Sequence, residues 1–173
     1  MNKAFTLIEI LVVMAIIGIL ASVGLGNFQS AQVKARDSKR KAELNQVAKS
    51  LEVYFNDKKQ YPLSSATGEI LGCTNESACT LGAVFQDEND TIYMINLPID
   101  PKSPAYDYSY LSADGTTYQL YARLENTKDG DVNHDVDENP LVYSGVSCGS
   151  VDCNYGVAST NMSPETGQTL VAE

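Results

Sequence analysis

The fold of this chain is decided by its first apolar stretch, residues 5–25, which reads FTLIEILVVMAIIGILASVGL. After Glu9 the single polar side chain in the stretch is Ser22, and the run has about the 20 residues that a helix needs to cross a bilayer. A carboxylate inside hydrocarbon costs several kcal/mol unless it has a partner, so Glu9 is unexpected in a plain membrane anchor. It is equally unexpected in a secretory signal, which would also have a small-residue cleavage site after the apolar run. The stretch therefore predicts a membrane-inserting helix in which Glu9 has a function of its own.

Residues 3–9, KAFTLIE, together with the apolar run, resemble the prepilin signal shared by type IV pilins and type II secretion pseudopilins. The motif combines a basic leader, a small residue, a Phe and a Glu at the fifth position of the mature chain. The resemblance implies that a prepilin peptidase cleaves between Ala4 and Phe5 on the cytoplasmic side of the membrane. The same enzyme would then methylate the new amine, so that N-methyl-Phe5 begins the mature chain. The family usually has Gly where this chain has Ala4, and both residues are small.

Glu9 lies one helical turn from the amine that this cleavage would create. In a filament its carboxylate would meet the Phe5 amine of a neighbouring subunit, which pairs both charges inside an apolar bundle. Removing either partner would leave the other buried and uncompensated, a loss of about 3–5 kcal/mol. We therefore predict that Glu9 directs the assembly of identical subunits into a helical filament. The resemblance adds an assembly platform and an ATPase as further partners, and the inner membrane as the location before assembly.

The helix is predicted to continue from Asn27 to about Asn56, since no Pro occurs before Pro62. Apolar side chains recur there with helical spacing along one stripe, formed by Leu44, Val47, Ala48, Leu51, Tyr54 and Phe55. A helix that begins at Phe5 and ends at Asn56 would be about 75 Å long. Lipid or other subunits must bury its first half, and the rest of the chain can cover its second half.

The charge is distributed unevenly around a net value of -10. Residues 34–59 hold eight basic and four acidic residues, whereas the chain from Gln60 onward holds three basic and seventeen acidic residues. This balance argues against a nucleic-acid partner, which needs clustered Lys and Arg. The most basic run, residues 34–41, favours a solvated helix face over a surface for nucleic acid or anionic lipid. Alternatively, it meets the acidic domains of adjacent subunits in a filament.

The four cysteines lie in the acidic part of the chain and permit three disulfide pairings. Their short separations favour two local disulfides, Cys73–Cys79 and Cys148–Cys153. A zinc site would need closer pairs, such as C-x2-C, with support from His. Free thiols are the other alternative, and the export signal favours disulfides over them.

The remaining residues predict a small antiparallel sheet. Tyrosines alternate with polar residues before a Gly-containing turn, and the alternation resumes after it, which predicts a hairpin at about residues 105–124. The tyrosines are interpreted as core pairs, with a carbohydrate platform as the alternative. This part also resembles the C-terminal half of major pseudopilins.

The fold class expected is α+β, a long N-terminal α-helix packed on a small antiparallel β-sheet, as in the pilin fold. The helix is expected to have a transmembrane half and an amphipathic half. The expected divisions are a leader, a transmembrane or assembly helix, its amphipathic continuation and an extracellular globular head, at residues 1–4, 5–26, 27–60 and 61–173. The polar C-terminal residues, from Asn161 onward, are expected to fray.

An acidic loop at residues 129–139 has oxygen-bearing side chains at every second position, namely Asp129, Asp131, Asn133, Asp135 and Asp137. Such a set suits Ca2+, which prefers six to eight oxygen ligands. The loop is not an EF-hand, because His134 and Pro140 stand where Gly and Glu are required. The resemblance to major pseudopilins implies calcium at this point of the chain. A solvated acidic loop without metal is the alternative.

The sequence predicts that the chain is not an enzyme, since its one histidine lies in the acidic loop and no phosphate-binding glycine motif occurs. We expect a structural subunit of a type IV pilus or pilus-like filament, which would serve adhesion, motility, DNA uptake or secretion. Alternatives are a type II secretion major pseudopilin that drives protein export, or a monomeric membrane-anchored binding module. The subunit would be a single-pass protein of the cytoplasmic membrane and then part of an extracellular or periplasmic filament.

Overall fold

The computed structural model describes residues 5–73 and 77–173, with the side chains of residues 22–27 left out. Residues 1–4 lie outside this range, so the predicted leader and Ala4 lie outside the described residues. The principal helix, α1, spans Leu7–Lys58. It ends where Lys59 adopts a left-handed conformation, with φ of 63°. The Lys59 amide still donates to the carbonyl of Phe55 at 2.8 Å, which caps the last turn.

The chain divides into two compact units, residues Met1–Arg36 and Asp37–Glu173, which we call the N-terminal and C-terminal units. In the N-terminal unit the large apolar side chains from Phe5 to Leu20 are between 51% and 81% exposed. A search of the described residues finds no helical segment with the length and apolarity of a membrane span.

Twelve short strands follow α1 among the described residues. They are β1 (Leu63–Ser64), β2 (Ile70–Cys73), β3 (Ser77–Ala78), β4 (Phe85–Gln86), β5 (Ile92–Met94), β6 (Ser109–Leu111), β7 (Gln119–Ala122), β8 (Leu141–Tyr143), β9 (Ser147–Cys148), β10 (Val151–Asp152), β11 (Tyr155–Ala158) and β12 (Leu170–Ala172). They pair antiparallel in two three-stranded sheets, β1-β2-β3 and β11-β7-β6, and in the pairs β4-β5, β8-β12 and β9-β10. The expected α+β architecture, a long N-terminal helix with antiparallel sheets, is confirmed.

The central strand β7 is buried on both of its faces. Leu120 and Ala122 join the cluster formed by the predicted apolar stripe of α1, in which Leu44 and Leu51 are almost fully buried. Tyr121 points the other way, because successive strand residues face opposite sides, and it packs in a second cluster. That cluster contains Tyr143, Val146, Cys148 and Cys153. The strands β6 and β7 lie within the predicted hairpin, and residues from the C-terminal part of the chain cover the face of β7 that carries Tyr121.

The tyrosine rings belong to the core. Tyr110 and Tyr118 are each 2% exposed and their ring centroids lie 6.3 Å apart. Tyr61 packs edge-on against Tyr118 at 4.8 Å, and both hydroxyls donate to Glu52 of α1. Burial, together with this hydrogen bond, raises the pKa of Tyr61 to about 12. The rings therefore fasten the sheet to α1, and a carbohydrate platform made of these faces does not fit.

The C-terminal residues do not fray as expected. Strand β12 pairs with β8 in the register Leu170↔Tyr143 to Ala172↔Leu141. Glu173 also forms an ion pair with the buried Arg123. The expectation was wrong because the polar composition of this segment does not reveal that an unpaired edge of β8 is available to it.

Both predicted local disulfides are present, Cys73–Cys79 and Cys148–Cys153. Their Cα atoms are 5.2 and 5.1 Å apart, which is an ordinary separation for disulfides. Cys148 and Cys153 are fully buried in the second cluster.

Candidate assembly site and acidic loop

The N-terminus of α1 is closed by a capping box. The Oε2 atom of Glu9 accepts hydrogen bonds from the backbone amide of Thr6 at 2.8 Å and from its hydroxyl at 2.7 Å. In return, the Glu9 amide donates to Thr6 Oγ1 at 3.4 Å. The motif T-x-x-E before an apolar run is the sequence signature of this arrangement. It was present in the sequence and was not recognised there.

Glu9 thus has an intramolecular role in the isolated chain. Its carboxylate lies at the positive end of the helix macrodipole and satisfies the otherwise unpaired Thr6 amide. Phe5, one turn before Glu9, lines the same surface depression as Glu9, together with Ile8, Val12 and Val13. The structure therefore places two of the predicted processing and assembly residues, Phe5 and Glu9, on one exposed apolar face.

Arg40, in the basic run of α1, binds carboxylates of its own chain. Its guanidinium binds both carboxylate oxygens of Asp100, at 2.6 and 3.0 Å, and also contacts Asp37 and Glu125 at 2.8 Å each. Arg40, Asp37 and Asp100 are buried. Asp37 in turn accepts hydrogen bonds from the amides of Glu125 and Asn126, at 2.9 and 2.8 Å. A bidentate ion pair whose remaining oxygens also accept hydrogen bonds has the geometry that offsets the cost of burying its charges.

Lys41, the next residue of α1, forms a second ion cluster. Its Nζ atom lies 2.5 Å from Asp129 Oδ1 and 2.6 Å from Asp131 Oδ2. It also lies 5.6 Å from the ring centroid of Tyr155 on β11, which is within cation–π range. Burial disfavours the charged amine, but the hydrogen bonds to both carboxylates outweigh it and raise the pKa of Lys41. Burial likewise opposes the charge of Asp129, yet the hydrogen bond from Lys41 lowers its pKa overall.

These contacts revise the interpretation of residues 34–41 as a solvated basic face. Arg40 and Lys41 bind carboxylates of their own C-terminal unit, so neither is an open contact for the acidic domain of another subunit. Lys39 is 56% exposed and pairs with Glu43 at 3.5 Å, one turn along the helix. The sequence indicated the surplus of positive charge in this run. It did not indicate that carboxylates of the same chain neutralise part of that charge.

The other candidate calcium ligands point to different partners. The Asn133 amide nitrogen donates to Glu165 Oε1 at 3.2 Å. Asp135 closes its own turn, since its Oδ1 accepts from the amides of Asp137 and Asn139 and its Oδ2 from the Asn139 side chain. Across residues 5–73 and 77–173 no group of three or more His, Cys, Asp or Glu side chains is arranged to hold a metal ion. The calcium site stays a prediction, and four of its five candidate ligands, Asp129, Asp131, Asn133 and Asp135, are hydrogen-bonded to partners within the chain.

Sequence analysis missed the buried partners of Arg40. Asp37 was detectable in part, because it stands three residues before Arg40 on the helix, where opposite charges meet. Asp100 and Glu125 are separated from Arg40 by 60 and 85 residues, and no local pattern connects them.

Two parts of the chain match known protein families. Residues 1–25 match the prokaryotic N-terminal methylation motif, and residues 27–139 match the family model of type II secretion system (T2SS) protein G. The type II secretion system core protein G of Pseudomonas aeruginosa is 30% identical over 136 residues, which cover 79% of this chain and 92% of that protein. No solved structure matches the chain significantly.

Pilins are also among the similar proteins. The type IV wide pilus major component PilA4 of Thermus thermophilus is 41% identical over 93 residues, 54% of this chain and 71% of that protein. The type IV major pilin protein PilA of Myxococcus xanthus is 38% identical over 60 residues, 35% of this chain and 27% of that protein. The family model spans more than half of the chain, and its match adjoins that of the methylation motif. The chain therefore belongs to the type II secretion system protein G family and carries the N-terminal methylation motif of pilin-like proteins.

Proposed function

We propose that this chain is a structural subunit that polymerises through its N-terminal helix into a type IV pilus or a pilus-like secretion filament. The observation that carries the proposal is the combination of a capped helix start at Thr6 and Glu9 with a run of exposed apolar side chains. In this proposal the chain is a structural protein and not an enzyme.

The energetic argument starts from the exposed side chains of the N-terminal unit. Transferring a large apolar side chain out of water is worth about 1.5–3 kcal/mol. Eleven such side chains of α1, from Leu7 to Leu20, are more than half exposed on the isolated chain. Contiguous exposed apolar surface of this kind marks a protein or membrane contact. Lipid would cover these side chains before assembly, and the same segments of other subunits would cover them in the filament.

Processing is the second part of the proposal. A prepilin peptidase would remove residues 1–4 and methylate the amine of Phe5, and an assembly platform with its ATPase would add subunits. In the neighbouring subunit, Glu9 is hydrogen-bonded to Thr6 of the same chain. The free amine of the first subunit would then compete with that Thr6 for the Glu9 carboxylate. The carboxylate already accepts charge-assisted hydrogen bonds from Thr6, whereas the amine would bring a full positive charge. Two opposite charges attract each other more strongly inside an apolar bundle than in water, which favours this exchange of partners.

The test is to express the chain in cells with and without an active prepilin peptidase. We expect mass spectrometry of the product from active cells to show loss of residues 1–4 and gain of one methyl group on Phe5. Electron microscopy of the sheared fraction should show filaments only in those cells. An intact N-terminus and a monomeric chain in active cells would instead support a membrane-anchored binding module.

The pilus and the secretion pseudopilus are two candidates for the filament. The protein G match supports secretion, whereas the similarity to PilA4 supports a pilus. Deletion of the gene separates them: loss of exported enzymes from the medium indicates secretion, and loss of surface filaments with normal export indicates a pilus.

A further inference from the structure

We propose that Lys41 is a built-in counter-ion of the acidic loop, and that it takes the place that a divalent cation would hold between Asp129 and Asp131. The loop would then be attached to α1 without metal. This inference goes beyond the proposed function and does not depend on it, because it concerns the C-terminal unit alone.

The first argument is the geometry of the ammonium group. Its nitrogen lies 2.5 and 2.6 Å from one oxygen of each of the two carboxylates. These short separations are typical of charge-assisted contacts, and they put the positive charge between the first two acidic residues of the loop. A metal ion bound by the same two oxygens would lie next to the ammonium, and two like charges at that distance repel each other strongly.

The second argument is that the neighbouring contacts hold Lys41 in this position. Three residues within two turns of α1 contact the segment that enters the acidic loop, namely Asp37, Arg40 and Lys41. Asp37 binds the amides of Glu125 and Asn126, Arg40 binds the Glu125 carboxylate, and Lys41 binds Asp129 and Asp131. The Asp131 amide also donates to Asp129 Oδ1 at 3.0 Å, so the Asp129 carboxylate is held next to the backbone of Asp131. Segment 125–131 is therefore attached to the helix at successive points.

The third argument comes from the rest of the loop. Asn133 donates its amide hydrogen to Glu165, and Asp135 binds its own turn with both oxygens. Gathering these residues around one ion would break those hydrogen bonds in addition to displacing Lys41. The surroundings of Lys41 suit an ammonium, because its side chain is 23% exposed and faces the Tyr155 ring.

The experiment measures hydrogen exchange of the full-length chain in detergent micelles, in millimolar Ca2+ or in excess chelator. We expect peptides covering residues 126–139 to exchange equally fast in both buffers for the unmodified chain. Slower exchange of these peptides in Ca2+ would overturn the proposal, since it would show that the loop binds the metal while Lys41 is present.

The matched variants are Lys41→Met and Lys49→Met, of which the second removes an exposed lysine from the same helix. We expect Lys41→Met to speed exchange of the 126–139 peptides about two- to fivefold, the range typical of losing a partly exposed ion pair. Lys49→Met should leave these peptides unchanged. If Lys41→Met and Lys49→Met exchange alike in this segment, Lys41 does not anchor the loop and the proposal is wrong.

Discussion

Two stretches of α1 contain large apolar side chains in opposite surroundings. From Leu7 to Leu20 every apolar side chain larger than Ala is 51–80% exposed. In the second stretch, which begins at Leu44, the residues Leu44, Val47, Leu51 and Tyr54 are at most 9% exposed. The same secondary structure therefore serves two different purposes. The second stretch forms the core of the C-terminal unit, and the first presents a surface for other molecules.

The difference is visible in the pattern of side chains. The first stretch is apolar around the whole helix, which suits a helix surrounded by lipid or by other helices. The second stretch has a single apolar stripe and a polar opposite face, which suits one-sided packing against a sheet. Changes in the first stretch should therefore affect assembly and leave folding intact, and changes in the C-terminal unit should affect folding. The predictions below test this separation.

The largest effect is expected for Glu9→Ala. The variant loses the capping box and the predicted partner of the Phe5 amine, so we expect no filaments in the sheared fraction. The melting temperature of the C-terminal unit should not change, because Glu9 belongs to the other unit. Glu88→Ala, which removes an exposed carboxylate of the C-terminal unit, should assemble normally. Normal filaments from Glu9→Ala would contradict the proposed assembly role.

A large loss of folding stability is expected for Arg40→Leu. The change leaves Asp37 and Asp100 buried without their counter-charge, which costs about 3–5 kcal/mol in comparable buried pairs. Urea unfolding of the full-length chain in detergent, followed by tyrosine fluorescence, measures the loss. Lys39→Leu is the matched control, because Lys39 lies next to Arg40 and is 56% exposed. Equal stability of the two variants would show that the buried ion cluster contributes little.

A smaller effect is expected when the buried disulfide is removed by the paired change Cys148→Ala and Cys153→Ala. The chain-entropy model gives about 2 kcal/mol for so short a loop, and these two side chains also fill the cluster around Tyr121 and Tyr143. The Cys73–Cys79 disulfide closes a loop of similar length, and its side chains are less buried. Replacing both of these cysteines by Ala should therefore cost less free energy of unfolding. Urea midpoints of the two paired variants under identical conditions check the order.

The smallest effect concerns the pH dependence of the Lys41–Asp129 pair. The lowered pKa of Asp129 means that its contribution is present above the ordinary Asp pKa, about 3.9, and is lost as the pH falls through the lowered value. The raised pKa of Lys41 keeps its contribution up to about pH 10 and removes it only above that.

Asp129→Asn should therefore cost about 0.5–1 kcal/mol at pH 7 and nothing once both chains are fully protonated in acid. Urea unfolding at a series of pH values, with Glu88→Gln as control, measures this difference. An equal loss for Asp129→Asn at all pH values would indicate a packing effect and not an ion pair.

Prediction from sequence was accurate where the pattern is local. The apolar stripe places the core side of α1, the spacing of the cysteines predicts both disulfides, and the alternating tyrosines locate the β6–β7 pair. It was inaccurate where two distant segments meet. Neither β11, which covers the second edge of β7, nor β12, which pairs with β8, has a composition that reveals its partner.

The sequence by itself determined the membrane-like apolar run, the position of Glu9 within it and the side of the helix that enters the core. These features are periodic or contiguous along the chain, so they can be recognised before folding is known. Tertiary structure alone decided that Arg40 binds Asp100 and Glu125 and that Lys41 binds Asp129, across separations of 60, 85 and 88 residues. The physical reason is that an ion pair depends on where two side chains meet in space, and no repeat along the sequence records that meeting.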